Sequence, residues 1–231
     1  MAGFGTILTF IDLPASELDE TGRGLLYYCS RLAAWNGTPW SAVTLTLPDG
    51  EQLTGFAAYG APEITCVTGG TSHLDTPAAL GKILAQLASE KSASIVVLPH
   101  NDLGSTLAPV MASALDAALL TEVTSARQVN GSLRLSRSAL GGRIAETKIW
   151  DGTRTLVITV PIRSLSQVLL PSVRPSSPVV GAWRPATLPG GPAANITTRI
   201  PPDPQTVDLT EAEVIFSAGK EIGRASCRER V

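Results

Sequence analysis

The sequence contains few cysteines, histidines and aromatic residues. Of its 231 residues, three are cysteine, two are histidine and 5% are aromatic. Cys29 and Cys66 lie far apart, each in an apolar segment. This pattern argues against a disulfide framework and predicts buried thiols in a reducing, cytoplasmic environment. His73 and His100 lack the cysteine or carboxylate spacing of a metal site or a catalytic Cys-His pair, so we predict neither.

The sequence also lacks an excess of positive charge and any long apolar run. Its formal net charge is −2, which is not the basic balance that is typical of nucleic-acid binders. No apolar stretch approaches the roughly 18 residues that a membrane span needs, and no signal peptide precedes the first apolar run. The chain is long enough to bury a full core. We therefore expect a soluble globular protein with neither nucleic-acid binding nor membrane insertion.

The C-terminal end of the chain has a distinctive origin. When residues 221–231 are back-translated, they spell one reading frame of a common short-read sequencing adapter. We interpret these residues as an adapter-derived artefact and exclude them from the prediction of the fold. We also expect the natural protein to continue beyond Lys220.

Short apolar runs alternate with helical patterns over the first half of the chain. Strands are predicted over 6–11, 40–47, 64–67 and 94–98. Helices are predicted from a cap at Ser16 to Asn36, over 51–59, from the Thr76-Pro77 pair onward, and over about 105–118. Strictly alternating strands and helices favour a parallel sheet that is covered on both faces.

The pattern then changes. Asn130-Gly131 between the runs 122–129 and 132–137 predicts a hairpin, because this pair supplies the positive φ angles of a type I′ turn. Further strands are predicted over 143–149 and 155–160. The fold class is therefore α/β, a three-layer open, mostly parallel sheet with helices on both faces and an antiparallel extension. We divide the chain into an N-terminal domain (1–163), a Pro/Gly-rich linker or wrapping segment (164–206), the start of a second domain (207–220) and the artefact (221–231).

Two polar residues follow predicted strands, at the position where open α/β sheets bind ligands. His100 follows the strand over 94–98 and precedes Asn101-Asp102, and Asp12 follows the first strand. We interpret His100 as a residue of an exposed turn, and Asp12 as a turn or helix-capping residue. One hypothesis for the function, which we rank below the two given later, is a small hydrolase with His100 and Asp102 in its site. No phosphate-binding loop motif occurs in the chain.

Three separated stretches carry a resemblance to a known family. The first is residues 95–123, with a strand, a glycine turn and a Leu-x-Pro helix start. The second is Arg137-Ser-Ala-Leu-Gly-Gly-Arg-Ile144, similar to R-P-x-Y-x-G-N-A, followed by the strand over 155–160. The third is Val207-Asp-Leu-Thr-Glu-Ala-Glu-Val-Ile-Phe-Ser-Ala-Gly-Lys220, similar to "dLt-A-vvvsGGRG", which opens a flavin domain. In order and spacing the chain resembles the alpha subunit of electron transfer flavoproteins.

The resemblance implies an electron carrier rather than an enzyme, with no catalytic residues in this chain. FAD would be bound by the complete protein, with Ser217, Gly219 and Lys220 at the cofactor. The chain would form a heterodimer with an electron transfer flavoprotein beta subunit. That heterodimer would take electrons from dehydrogenases and pass them to a quinone-reducing or other acceptor. The part present here would be a scaffold that neither binds FAD tightly nor turns over substrate.

The sequence departs from the family pattern at several basic positions. Ser105 and Val110 stand where basic residues are usual, and Pro161 follows Val160 in place of arginine, with Arg163 the nearest basic group. Ala218 replaces a glycine and Lys220 an arginine. We therefore expect the subunit contacts to differ from those of typical members. The alternative hypothesis is a free-standing adenine-nucleotide-binding α/β module, which would need a phosphate loop in the first two-thirds of the chain.

Overall fold

The computed structural model describes residues 5–13, 18–69, 76–165, 177–190 and 198. The strands in this part of the chain are β1 (Thr6–Phe10), β2 (Trp40–Thr44), β3 (Glu63–Val67), β4 (Ala93–His100), β5 (Ala118–Leu120), β6 (Val123–Val129), β7 (Ser132–Ala139), β8 (Ile144–Trp150), β9 (Leu156–Pro161) and β10 (Val179–Trp183). The helices are α1 (Glu20–Asn36), α2 (Gly50–Ala58), α3 (Pro77–Glu90), α4 (Asp102–Ala114) and the single turn α5 (Ile162–Leu165). All of these elements belong to one compact unit, Met1–Asn195.

Seven strands form one open sheet in the order β10-β3-β2-β1-β4-β9-β5, and every neighbouring pair is parallel. Successive side chains of a strand point to opposite faces, and both faces of this sheet are apolar. Ile7 packs in a core with α1 and α2, whereas Leu8 packs in a second core with α3 and α4. The predicted three-layer α/β fold is therefore confirmed.

The predicted antiparallel extension is a separate three-stranded sheet in the order β6-β7-β8. Asn130 and Gly131 have φ angles of 52° and 81°, which confirms the predicted turn. Leu133 and Leu135 of β7, with Trp150 of β8, are buried in the same core as α1. This small sheet therefore covers the α1 side of the large sheet with one face and leaves its other face outward.

The observed helix starts correct two predictions. The predicted cap of α1, Ser16, lies outside the described residues, and the cap is Asp19, whose carboxylate accepts a hydrogen bond from the N–H of Gly22 at 2.7 Å. Helix α4 begins at Asp102 instead of residue 105, because Asn101 caps it directly after β4. The same helix ends at Ala114 rather than 118. The predicted start of α3 at Thr76-Pro77 is confirmed.

Strand β10 is an element that the sequence did not predict. It lies within the proline- and glycine-rich stretch and extends the sheet by pairing in parallel with β3. Its end is tied to α3, where the Nε1 atom of Trp183 donates to Glu90 at 2.7 Å. The stretch thus adds an exposed edge strand. The domain boundaries given above, at residues 163 and 206, stay a prediction. No helix in the described part of the chain is long and apolar enough to cross a membrane.

Candidate functional site

The strand order of the large sheet changes direction between β1 and β4, since β2 and β3 lie on one side of this pair and β9 and β5 on the other. This position is the switch point of the sheet. Open α/β sheets bind their ligands at such a point, beyond the carboxyl ends of the strands. A small crevice of about 170 Å³ opens there. It is lined by Ile11, Asp12, Leu13, Asp19, Thr21, Gly22, Leu25, Pro99 and Asn101.

Two helices, α1 and α4, begin at this crevice, and a side chain caps one amide at the start of each. The N–H of Gly22 donates to the Asp19 carboxylate, and the N–H of Gly104 donates to the Asn101 side chain at 2.8 Å. These two amides are therefore taken from the set that a helix start offers to a phosphate group. In addition, the carboxylates of Asp12 and Asp19 line the crevice and repel anions. The crevice therefore does not fit the pyrophosphate of a dinucleotide.

A polar cluster lies at the carboxyl ends of β4 and β9. The Nδ1 atom of His100 is 2.9 Å from Oγ1 of Thr159, and the backbone N–H of Glu122 donates to the same oxygen at 3.0 Å. The Nε2 atom of His100 is 3.6 Å from the Glu122 carboxylate. Thr159 is fully buried, whereas the His100 and Glu122 side chains are 30% and 46% exposed. The cluster thus joins a buried hydroxyl to two groups that reach the surface.

The hydroxyl of Thr159 is shared by two neighbours. It accepts from the N–H of Glu122, and it can either donate to Nδ1 of His100 or accept from it, because a hydroxyl carries one donor and two acceptor sites. The interpretation of His100 as a residue of an exposed turn is wrong, since it is the last residue of β4 and is partly buried.

A wider cavity of about 590 Å³ adjoins Glu122. Its other lining residues are Arg137, Ser138, Ala139, Leu140, Gly141, Gly142 and Arg163. The Nε atom of Arg137 donates to Glu146 at 2.6 Å, and Lys148 approaches the other Glu146 oxygen at 2.7 Å. The hydrogen bond from Lys148, followed by that from Arg137, lowers the pKa of Glu146. The turn between β7 and β8, which holds half of the second family stretch, lines this cavity together with Glu122 and Arg163.

Comparison with protein families accounts for this combination of sheet, hairpin and turn. Residues 7–179 match the model of the electron transfer flavoprotein domain, so the match covers most of the chain. The chain belongs to this family. The resemblance found in the sequence is therefore confirmed at the level of the family, whose members are electron carriers rather than enzymes. A comparison with curated proteins gave no match.

Within this electron transfer flavoprotein domain, the departures from the family pattern have defined surroundings. Val110, at a position where the family usually has a basic residue, packs on Gly81 of α3, so a Cβ atom on that glycine would come within 2.8 Å of Val110. Ser105 donates to the carbonyl of Asp102 and thus bonds within its own helix. Arg163 is exposed at the cavity next to Glu122. Only the last of these three positions presents a charge at a cavity.

The structure brings few of the predicted site residues together. Ser217, Gly219 and Lys220, together with His73, lie outside the described residues. Asp102 is exposed at the start of α4, and its backbone carbonyl accepts hydrogen bonds from Ser105 and Thr106. Asp12 is exposed at the crevice. Among the described residues there is no group of three or more histidine, cysteine or acidic side chains that could hold a metal ion.

Both described cysteines are buried free thiols, as the sequence predicted. Burial raises the pKa of Cys29 to about 12 and also raises the pKa of Cys66. The reactive thiolate is therefore disfavoured at both positions. Thr159 and Glu122 were not predicted to belong to a polar cluster. The only sequence signal for them was their position near the end of one predicted strand (155–160) and at the start of another run (122–129).

Proposed function

We propose that the chain is the N-terminal part of an electron transfer flavoprotein alpha subunit and acts as the scaffold of an FAD-containing heterodimer. Two of the three family stretches support the assignment, since 95–123 covers β4, α4 and β5, and 137–144 covers the turn between β7 and β8. The third stretch, 207–220, lies outside the described residues. We propose it as the start of the flavin domain, after an N-terminal domain (1–163) and a linker (164–206).

One observation carries the proposal that the flavin is held elsewhere in the complete protein. The crevice between β1 and β4 is lined by the carboxylates of Asp12 and Asp19, and a side chain caps one amide at the start of each adjoining helix. A pyrophosphate needs free amides at a helix start. We propose that the glycine turn with Ser217, Gly219 and Lys220 supplies them, with Lys220 adding a positive charge. Bound FAD would accept electrons and pass them on.

The proposed partner of this domain is an electron transfer flavoprotein beta subunit. The heterodimer would receive electrons from dehydrogenases and deliver them to a quinone-reducing or other acceptor. Since the chain would be a scaffold, residues 1–220 alone are expected neither to bind FAD tightly nor to turn over substrate. The cytoplasmic location and the absence of nucleic-acid binding stay predictions.

No specific observation favours the alternative, a free-standing adenine-nucleotide-binding module. Such a module would need a phosphate site at the carboxyl edge of its sheet. The capped helices α1 and α4 and the carboxylates of Asp12 and Asp19 count against it. The hydrolase hypothesis is also unsupported, because Asp102 is an exposed helix-start residue whereas His100 contacts Thr159 and Glu122.

The first test is to read the source DNA across the codon of Lys220. We expect the frame to continue into a glycine-rich strand, turn and helix, with a beta-subunit gene beside it. A frame that stops at Lys220, or a tail 221–231 that is present in the genome, would overturn the proposal of a missing flavin domain.

The second test uses the recovered full-length protein, expressed with and without the beta subunit. FAD content, measured by flavin absorbance after gel filtration, should be stoichiometric in the full-length complex and negligible in residues 1–220. Lys220→Gln should lower FAD affinity, whereas the charge-matched control Arg163→Gln should leave it unchanged. Stoichiometric flavin in residues 1–220 would contradict the proposal.

A further inference from the structure

The small antiparallel sheet carries a charge opposite to that of the whole protein. Residues 123–150 contain five basic residues and one acidic residue, a net charge of +4, whereas the whole chain has a net charge of −2. The acidic residue, Glu146, is already held between Arg137 and Lys148. Positive charge is thus concentrated in this small sheet of an acidic protein.

Two arginines on this sheet directly oppose each other. Arg127 of β6 pairs with Arg134 of β7 in the antiparallel register, so both side chains point to the same, outward face. Both are exposed, and neither forms an ion pair with another described residue. Like charges in directly opposed positions destabilise a sheet. Next to Arg134 on β8 lies Ile149, which is 69% exposed.

Arg127 also adjoins α1. A cavity of about 230 Å³ lies between this helix and β6, and its lining includes Tyr27, Arg31, Trp35 and Arg127. The guanidinium of Arg31 lies 5.0 Å from the ring centre of Trp35 and 6.0 Å from that of Tyr27. Trp35 is 49% exposed. Tryptophan, tyrosine and arginine are the residues that contribute most binding energy in protein interfaces.

We propose that this surface, the basic face formed by Tyr27, Arg31, Trp35, Arg127 and Arg134, docks an acidic protein. The partner surface presents carboxylates to the three arginines and an apolar side chain to the ring of Trp35. Carboxylates between Arg127 and Arg134 would remove the repulsion within that pair. A protein is favoured over a nucleic acid because the net charge of the chain is negative, and nucleic-acid binders are basic. The proposal does not depend on the assignment as an alpha subunit.

The test uses the whole chain and two synthetic peptides of equal length and equal negative charge. One peptide contains glutamate, glycine and serine, and the other replaces some of the glycines and serines by leucine. Affinities are measured by isothermal titration calorimetry at low and at physiological ionic strength. We expect the leucine-containing peptide to bind more tightly, and its binding to weaken at higher salt because the charges are exposed.

Variants of the basic face locate the binding. Arg127→Gln combined with Arg134→Gln should lower the affinity for the leucine-containing peptide by about tenfold or more, with the fold confirmed by circular dichroism. Trp35→Ala should lower the affinity for the leucine-containing peptide and leave the affinity for the peptide without leucine unchanged. The control pair, Lys91→Gln with Arg154→Gln, removes the same charge from residues outside this face that are paired with Glu63 and Asp116. It should change the affinity less than about twofold, as expected for charges far from the contact.

Three results would overturn the proposal. These are no binding of either peptide, equal losses in the control pair and in the double arginine variant, and a short DNA duplex that binds as tightly as the leucine-containing peptide. The last result would assign the face to nucleic acid instead.

Discussion

The buried hydroxyl of Thr159 lies 2.9 Å from Nδ1 of His100 and thereby ties together the carboxyl ends of β9 and β4. The same oxygen also accepts from the N–H of Glu122, whose φ angle of 57° turns the chain from β5 into β6. A single side chain therefore links two strands of the large sheet to the start of the small sheet.

Replacing Thr159 by valine should destabilise the protein by about 1–3 kcal/mol, because the partly buried N–H of Glu122 loses its acceptor while the size of the side chain is kept. Thr159→Ser retains the hydroxyl group and serves as the control. The free energy of unfolding in urea measures both effects. If valine leaves the free energy of unfolding unchanged, the hydrogen bonds of the hydroxyl do not contribute to stability, whereas any loss in serine reports the missing methyl group.

Gly104 makes a close contact that excludes any side chain. A Cβ atom at this position would lie 1.9 Å from the carbonyl oxygen of Pro99, which is backbone and cannot rotate away. Gly104→Ala should therefore force a shift of β4 against α4 and cost about 1–3 kcal/mol of stability. Gly50→Ala is the matched control, because nothing lies within 4 Å of its added Cβ atom at the start of α2.

The two glycine variants should change thermal stability in opposite directions. Alanine at position 50 is expected to be neutral or to stabilise by up to about 1 kcal/mol, because alanine is the better helix former. The Tm of each variant measures the difference. A Gly104→Ala variant as stable as Gly50→Ala would show that the contact with Pro99 can relax without cost.

The regular elements were largely predictable, since alternating strands and helices and the Asn130-Gly131 pair are local signals. Strand β10 was not, because Val179 and Val180 lie in a proline- and glycine-rich stretch and are exposed. What makes them a strand is their pairing with β3, more than a hundred positions earlier in the chain. Sequence patterns carry no signal for a strand whose only support is a distant partner.

The polar cluster shows the same limit at the level of the site. His100 and Glu122 each contact Thr159 from 59 and 37 positions away. No spacing within the sequence could reveal that three strand ends converge on one hydroxyl group. Prediction from sequence placed His100 after the correct strand, but assigned it to an exposed turn because its partners belong to other elements.

The carboxylate of Glu146 should titrate at a lower pH than an ordinary glutamate. Its pKa is lowered first by the hydrogen bond from Lys148 and then by that from Arg137. A lowered folded-state pKa means that the ionised group stabilises the fold above the ordinary glutamate pKa of about 4.3 and loses this effect as the pH falls through the folded-state value. The stability difference between wild type and Glu146→Gln should therefore shrink as the pH is lowered through that range.

The titration can be followed directly by NMR of the Glu146 side chain. Lys148→Gln and Arg137→Gln should each move its pKa back toward the ordinary value, because both side chains donate a hydrogen bond to this carboxylate. Both shifts should diminish at high salt, since the group lies near solvent. A pKa of Glu146 that neither substitution changes would contradict the assignment of its shift to Arg137 and Lys148.

Adenosine monophosphate should not stabilise this protein, because the N–H groups of Gly22 and Gly104 at the crevice already donate to Asp19 and Asn101. A ligand present at a hundred times its Kd would add about 2.7 kcal/mol of stability, which a thermal melt would detect. The variant Asp12→Asn with Asp19→Asn tests whether charge alone prevents binding. Asparagine can still cap α1, so the amide of Gly22 stays occupied and AMP should still leave Tm unchanged. A rise in Tm of the wild-type chain with AMP would instead support the adenine-nucleotide-binding alternative. A rise only in the double variant would show that charge repulsion, rather than the capped amides, closes the crevice to phosphate.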